Sequence, residues 1–278
     1  MVVTERDLSD RAMSRPPRHQ VDVWLIPLDP PTETLEECAV LLDTDERRRV
    51  LSMLDPRNRR RFTAAHGAIR VILSRYLGVP AGLIRWRRGE HGKPELAGGG
   101  HGLRVNLSHS GELAALAVSR RRAVGVDVQR LAPVDATALA ARYFPETEAR
   151  FVAAGTTSAT RLLRFTRLWT RKEACVKASG ARLAEGLGLQ VDGRGRGAGQ
   201  GMIAVRGTEG TLPGPYLVCD LDVPHGYRAS VALAGTAPFE VVRRDWPDAD
   251  ATPAPAGARW PTGGGRIPAA WGVRTTAC

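Results

Sequence analysis

The stretch FTRLWTRKEACVK, Phe165 to Lys177, holds two of only three lysines in a 278-residue chain whose other basic residues are all arginine. On a helix, residues four apart stack on one face, so Trp169, Glu173 and Lys177 form a row with Lys172 one position round. The opposite stripe, Phe165, Leu168, Cys175 and Val176, is apolar and suits docking onto a core. Gly180 supplies a C-terminal stop. Taken alone, the row reads as a Glu–Lys surface pair worth about 0.2–0.5 kcal/mol on an amphipathic helix. Trp169 reads as a core wedge.

An arginine-biased chain uses lysine where a compact ammonium is wanted rather than a planar fork. The third lysine, Lys93, lies in Gly92-Lys93-Pro94. Upstream of the helix, Val124-Gly125-Val126-Asp127-Val128-Gln129 alternates as a strand does. Its valines share one face; Gly125, Asp127 and Gln129 share the other. Asp127 is then a buried structural carboxylate, a solubiliser of a sheet edge, or a ligand for a hard cation. Further upstream, Leu103 to Leu107 reads as a strand broken by Ser108-His109-Ser110-Gly111. That segment is either a turn presenting donors to a phosphate or a polar turn with a satisfied histidine. Gly-x-Ser-x-Gly is absent, which removes the usual nucleophile elbow.

Working outward, Val21 to Ile26 reads as a strand and Leu35 to Leu54 as a basic helix. A second helix spans Arg59 to Leu77 and stops at Gly78. Ile84 to Trp86 reads as a short strand. Leu113 to Val118 and Ala123 to Val128 flank Ser119–Arg122 as a hairpin. Asp135 to Phe144 is helical, Gly155 to Thr160 is a loop, and Tyr216–Leu221 and Tyr227–Ala234 are late strands. The order predicts an α+β fold of two similar halves, 21–122 and 123–236. A loose arm, 1–20, precedes them, and a mobile Pro/Gly-rich tail, 237–278, follows.

Hydrophobic residues at 43% and charged residues at 25% describe a globular chain rather than a disordered one. No run has the length of a membrane span, and the first twenty residues lack an apolar core for a signal peptide. A cytoplasmic protein with no membrane association is expected. Cys38, Cys175, Cys219 and Cys278 are scattered, so reduced thiols are expected. The net charge of +11 and pI near 10.4 suit a polyanionic partner. Nucleic acid is disfavoured as that partner, because helix-turn-helix, RNP-like and zinc motifs are absent and aromatics make up only 5%.

In this order VNLSHSGELAALAV, VGVDVQ and WTRKEACVK, with GKP upstream, resemble the 4′-phosphopantetheinyl transferase superfamily. The closer match is its long pseudo-dimeric type, which serves polyketide and non-ribosomal peptide synthetases. The resemblance spans roughly Val21 to Gly235. It implies a pseudo-twofold fold and transfer of phosphopantetheine from coenzyme A to a carrier-protein serine, with Mg²⁺, releasing adenosine 3′,5′-bisphosphate. It implies that Asp127, Gln129 and Glu173 face the metal, although Gln129 stands where many members carry an acid. Glu173 and Lys177 become the catalytic pair. Lys93, Ser108, His109, Lys172 and Lys177 become coenzyme-binding residues, with Arg49 and Arg61 near the family's basic coenzyme positions. A monomer is expected, since one chain supplies both halves.

Overall fold

The computed structural model describes residues 13–89, 92–193, 201–207, 212–247 and 274–276. In the first half, strand β1 (Gln20–Pro27) leads to helices α1 (Thr32–Leu41), α2 (Thr44–Ser52) and α3 (Pro56–Leu77). A small hairpin of β2 (Trp86–Arg88) and β3 (Pro94–Leu96) precedes β4 (Leu103–Ser110) and β5 (Leu113–Arg120). The second half begins with β6 (Val124–Arg130), then α4 (Ala136–Tyr143), α5 (Glu146–Ala153), α6 (Ser158–Ser179) and the short α7 (Leu183–Gly186). Strands β7 (Ile203–Val205), β8 (Tyr216–Asp220), β9 (Tyr227–Ala234), β10 (Glu240–Asp245) and β11 (Arg274–Thr276) complete it.

Two sheets form the centre, one ordered β11-β10-β1-β5-β4 and the other β6-β9-β8-β7. Strict alternation along β1 explains how they stack. Trp24 and Ile26 face a core shared with Ile69, Ile72 and Leu73 of α3. Val21, Val23 and Leu25 face the opposite way, onto Val124, Val126 and Val128 of β6 and Val231 and Leu233 of β9. The far side of the second sheet packs on Leu168, Cys175 and Val176 of α6. The layers therefore run helix, sheet, sheet, helix, and the valine face of β6 is buried between the sheets as its alternation predicts.

The two long helices use the same local signals. Asp55 caps α3 with Pro56 at its first turn, and Thr157 caps α6 by accepting from the Thr160 amide. Both end on a left-handed glycine, Gly78 at φ 67° and Gly180 at φ 79°.

Several expectations are corrected. The single helix over Leu35–Leu54 is two, because Asp43 and Glu46 form a reciprocal capping box that starts a new helix. The strand expected at Ile84–Trp86 runs instead over Trp86–Arg88. The loop expected at Gly155–Thr160 yields to helix from Ser158. Ser119–Arg122 is no hairpin: β5 pairs with β1 and β4, whereas β6 pairs with β9 in the other sheet. The hairpin lies one strand earlier, at Gly111 (φ 59°) between β4 and β5.

The loose tail expected from 237 onward is corrected at Glu240–Asp245, which pairs in parallel with β1. This strand delivers Arg244, whose Nε donates to Asp22 at 3.2 Å. Asp22 is 1% exposed and also accepts from the Tyr76 hydroxyl, which in turn accepts from the Trp24 indole. Cys38 and Cys175 are buried free thiols. Among the described residues no helix is long and apolar enough to cross a membrane. The arm at 1–12, the Gly/Arg-rich segment at 194–200 and most of 248–278 lie outside the described residues.

Candidate active site

The site lies where β4, an edge of the first sheet, meets β6, an edge of the second. An edge strand carries unpaired main-chain donors. Here Asn106, Ser108 and Ser110 of β4 supply the acceptors, spaced by two as alternation requires. Asn106 Oδ1 accepts from the Val126 amide at 2.9 Å, Ser108 Oγ from Val128 at 3.3 Å, and Ser110 Oγ from Arg130 at 3.0 Å. The turn expected at Ser108–Gly111 is thus corrected to strand through Ser110, because a neighbouring edge satisfies the hydroxyls. Ser108 Oγ also donates to Asp127 Oδ1 at 2.8 Å.

Helix α6 lies directly on β6. A Cβ added to Gly125 would stand 2.1 Å from the Ala174 carbonyl oxygen and 2.3 Å from the Ala178 nitrogen. Glycine there permits the contact that brings Asp127 under the helix. Lys177 Nζ meets Asp127 Oδ1 at 2.5 Å and Ser108 Oγ at 3.0 Å. Asp127 is fully buried, and Lys177 remains 26% exposed, so one member of the pair is open to a ligand. Gln129 donates to Asp127 Oδ2 at 3.2 Å and accepts from Ser110 at 3.3 Å. Thr170 meets Ser230 at 3.0 Å and holds the helix on β9 one turn before Glu173. Burial pushes the Glu173 carboxyl up; Asp127 pushes it further and Lys177 opposes.

Ser108 and His109 are neighbours on a strand and so face opposite ways. Ser108 faces Asp127, while His109 shares the face of Leu103 and Val105, toward α3. Burial pushes the His109 imidazole down, and His66, Lys177, Arg49 and Arg61 add to that. These groups are close enough to act on one ring. Arg49 lies 5.1 Å from the Phe62 ring centroid, and Arg61 reaches Glu112 at 3.5 Å.

Two lysines behave differently from expectation. Lys172 is corrected from a coenzyme contact to a core residue: its side chain is 1% exposed, and Nζ meets Glu148 at 2.6 Å. It also donates to the Leu189 carbonyl and lies 4.7 Å from the Phe144 ring centroid. Its place on the apolar side of α6 puts the ammonium inside the second core. Lys93, expected on the coenzyme, donates to the carbonyls of Lys177, Val124 and Ala178. It caps the negative end of α6, and burial pushes its ammonium down to about 8. Trp169 packs against the second core beside Phe165, 5.8 Å between centroids.

The sequence did not single out Asn106 and Ser110 as site-building residues. The Asn-x-Ser-x-Ser period of two was the available signal for this pair. A cavity of about 330 Å³ lined by Phe151, Leu163, Arg167, Thr170, Asp220 and Arg228 lies elsewhere along α6, and its lining includes none of Asp127, Glu173 and Lys177.

Asp127, Gln129 and Glu173 offer oxygen donors only. Among the described residues no group of three or more His, Cys, Asp or Glu is gathered for a metal. Magnesium commonly takes one or two carboxylates and completes its shell with water and substrate phosphate. Asp127 and Glu173, the first near enough for its charge to push the second carboxyl up, provide that condition. The donor set fits magnesium.

A family model described as the 4′-phosphopantetheinyl transferase superfamily matches residues 123–210. The chain is 39% identical over 169 residues to the 4′-phosphopantetheinyl transferase HetI of Nostoc sp., covering 60% of this chain and 71% of that one. It is 31% identical over 171 residues to the putative 4′-phosphopantetheinyl transferase slr0495 of Synechocystis sp., covering 60% and 68%. A more distant relative is the L-aminoadipate-semialdehyde dehydrogenase-phosphopantetheinyl transferase of Xenopus laevis, 29% identical over 163 residues, covering 55% and 53%.

Proposed function

The chain belongs to the 4′-phosphopantetheinyl transferase superfamily, and from that premise we propose how this site moves phosphopantetheine from coenzyme A to a carrier-protein serine. The observation that carries the reading is the cluster of Ser108, Asp127 and Lys177 beside Glu173, built where two sheets of one chain meet.

Phosphoryl transfer asks a protein for alignment and charge neutralisation more than for a covalent intermediate. Asp127, Glu173 and the Gln129 amide oxygen would hold Mg²⁺, which supplies charge neutralisation on the pyrophosphate. Lys177, fixed by Asp127 and Ser108, is oriented to donate to a phosphate oxygen and to stabilise charge on the departing adenosine 3′,5′-bisphosphate. Glu173 is the base for the serine hydroxyl, directly or through water; its raised proton affinity favours holding the proton it takes. The serine oxygen forms the new bond to phosphorus as the bond to the bisphosphate oxygen breaks.

Arg49 and Arg61 form the cationic side of the coenzyme cradle, with the His109 imidazole as a hydrogen-bonding group beside them, across β4 from the carboxylates. The carriers are those of polyketide and non-ribosomal peptide synthetases, the protein works in the cytoplasm, and one chain suffices as a monomer. The support for a monomer is that β4 of the first sheet and β6 of the second build the site together. Incubation with coenzyme A, Mg²⁺ and an apo carrier tests the activity by intact mass. A gain of about 340 Da on the carrier, the mass of the transferred group, is expected. An unmodified carrier across fatty-acid, polyketide and peptide types would overturn the reading.

A further inference from the structure

Thr170, Glu173 and Lys177, spaced by three and four, share one face of α6 above the second sheet. Beneath them Asp127 of β6, Ser230 of β9 and Asp220 of β8 stand in one cross-strand row, because Ser230 is the register partner of both acids. Lys177 is tied to Asp127, and Thr170 to Ser230 at 3.0 Å. Thr170 and Ser230 are both fully buried. Glu173 lies between these two ties and makes no hydrogen bond of its own among the described residues. Its place is set by the helix that carries it.

The far end of the row is fixed by charge. Asp220 Oδ1 accepts from Arg171 Nε at 2.8 Å and from Ser230 at 3.1 Å. Its Oδ2 accepts from Arg171 at 2.7 Å and from Arg167 at 2.6 Å. Burial pushes this carboxyl up, but Arg171 and Arg167 outweigh that and hold it below its ordinary value. An ionised Asp220 only accepts, so the Ser230 proton points to it and Thr170 is the donor to Ser230. The chain from Thr170 through Ser230 to Asp220 therefore has one direction, and its end is locked by a bidentate arginine.

We propose that Thr170 and Ser230, anchored on Asp220, are positioning residues that set the Glu173 carboxylate over Asp127 for the cation. The inference rests on the transferase reading. Two buried hydroxyls that satisfy each other are an ordinary core contact; this pair differs in what happens when the site is filled. The tie at Lys177 ends on Asp127, itself a proposed cation ligand, and Lys177 is the proposed phosphate donor. A cation on the one and a phosphate on the other both weaken that tie, whereas Thr170 and Ser230 touch neither. Arg167 and Arg171 also join α6 to Asp220, through long side chains. The short Thr170–Ser230 bond is the one that fixes the height of the face bearing Glu173. Magnesium demands near-ideal octahedral geometry, so a small shift of that face costs affinity.

Binding of Mn²⁺ in the presence of coenzyme A, read from the electron paramagnetic resonance signal of the free ion, tests this without turnover. Thr170→Val removes the hydroxyl at nearly constant volume. It is expected to weaken Mn²⁺ roughly tenfold, the scale of losing a residue that orients a metal ligand. Ser230→Ala should do the same, and carries the test if the valine variant does not fold. The double variant should be no worse than either single one, because both remove one bond. Thr170→Ser keeps the hydroxyl and should stay within about twofold of the wild type. Metal-free calorimetric binding of adenosine 3′,5′-bisphosphate should not move, whereas general loosening of the fold would weaken it too. In carrier loading, the Mg²⁺ concentration for half-maximal rate should rise by a similar factor, with KM for coenzyme A within about twofold. Unchanged Mn²⁺ affinity in Thr170→Val and Ser230→Ala, or equal losses of Mn²⁺ and nucleotide, overturns the proposal. A wild-type protein that binds Mn²⁺ and weakens as expected in Thr170→Val, but loads no carrier, defeats the transferase reading and leaves this one standing.

Discussion

Gly125 and Ala174 approach so closely that a single added carbon at Gly125 would lie 2.1 Å from the Ala174 carbonyl oxygen. The contact involves main chain on both sides, so no rotamer change relieves it. Gly125→Ala must push α6 away from β6, and overpacking of this kind costs roughly 3 kcal/mol. Since the same contact sets Lys177 over Asp127, carrier loading should fall more than the folded fraction does. Urea denaturation and loading rates on one preparation check both effects.

Asp127 is fully buried and meets Lys177, Ser108 and Gln129. Asp127→Ala is expected to lower loading by about a thousandfold or more, the scale of losing a main electrostatic element. Gln129→Glu adds a third carboxylate and is expected to keep activity while lowering the Mg²⁺ concentration for half-maximal rate. Titrations of loading against Mg²⁺ decide this; an active Asp127→Ala protein would refute the metal assignment.

Glu46 gives a pH prediction with a definite sign. Burial pushes its carboxyl up, but the hydrogen bonds from His66, the Asp43 amide and Arg70 outweigh that and hold it at about 2, against an ordinary 4.5. A lowered carboxyl stabilises the fold above its unfolded value, and the contribution disappears as pH falls from 4.5 through about 2. The part at stake is about 3 kcal/mol. Glu46→Gln should flatten the fall of stability across that interval, as followed by denaturant midpoints at stepped pH.

Arg244 tests the role of β10 in holding the first half. Arg244→Ala leaves Asp22, which is 1% exposed, without its cation. The Tyr76 hydroxyl and the Gln20 amide remain as partners, so a loss of about 2 kcal/mol is expected rather than the 3–5 typical of a broken buried pair. Deleting residues from 240 onward should cost more, since β10 also pairs with β1 along its length. Thermal melts of the two variants rank them.

The net charge of +11 predicts steering of an acidic carrier. The loading kcat/KM should fall roughly tenfold between low and high salt, mostly through association. Rates insensitive to ionic strength would count against steering.

Alternation and helical spacing are local properties: they placed Asp127 on the face of β6 away from the valines and Glu173 one turn before Lys177, while the roles proposed for the three came from the resemblance. VGVDVQ can bury its valines only with Asp127 on the other face, and the four-residue spacing from Glu173 to Lys177 survives folding unchanged. What failed depended on partners distant in sequence. Ser108 and Ser110 look like a turn until the backbone of β6, twenty residues on, is seen to use their hydroxyls. Ser119–Arg122 looks like a hairpin because nothing local says that β5 and β6 belong to different sheets. Lys172 sits one position from Glu173, yet its fate was set by Glu148 and Leu189.

The row of Asn106, Ser108 and Ser110 along β6 has a consequence for solubility. Amides on an open strand edge invite another chain to add a strand, the first step toward polymer growth. Those of Val126, Val128 and Arg130 already have side-chain acceptors, so β6 offers no template at these positions. The three residues that frame the chemistry also keep the molecule from pairing with its own copies along that edge.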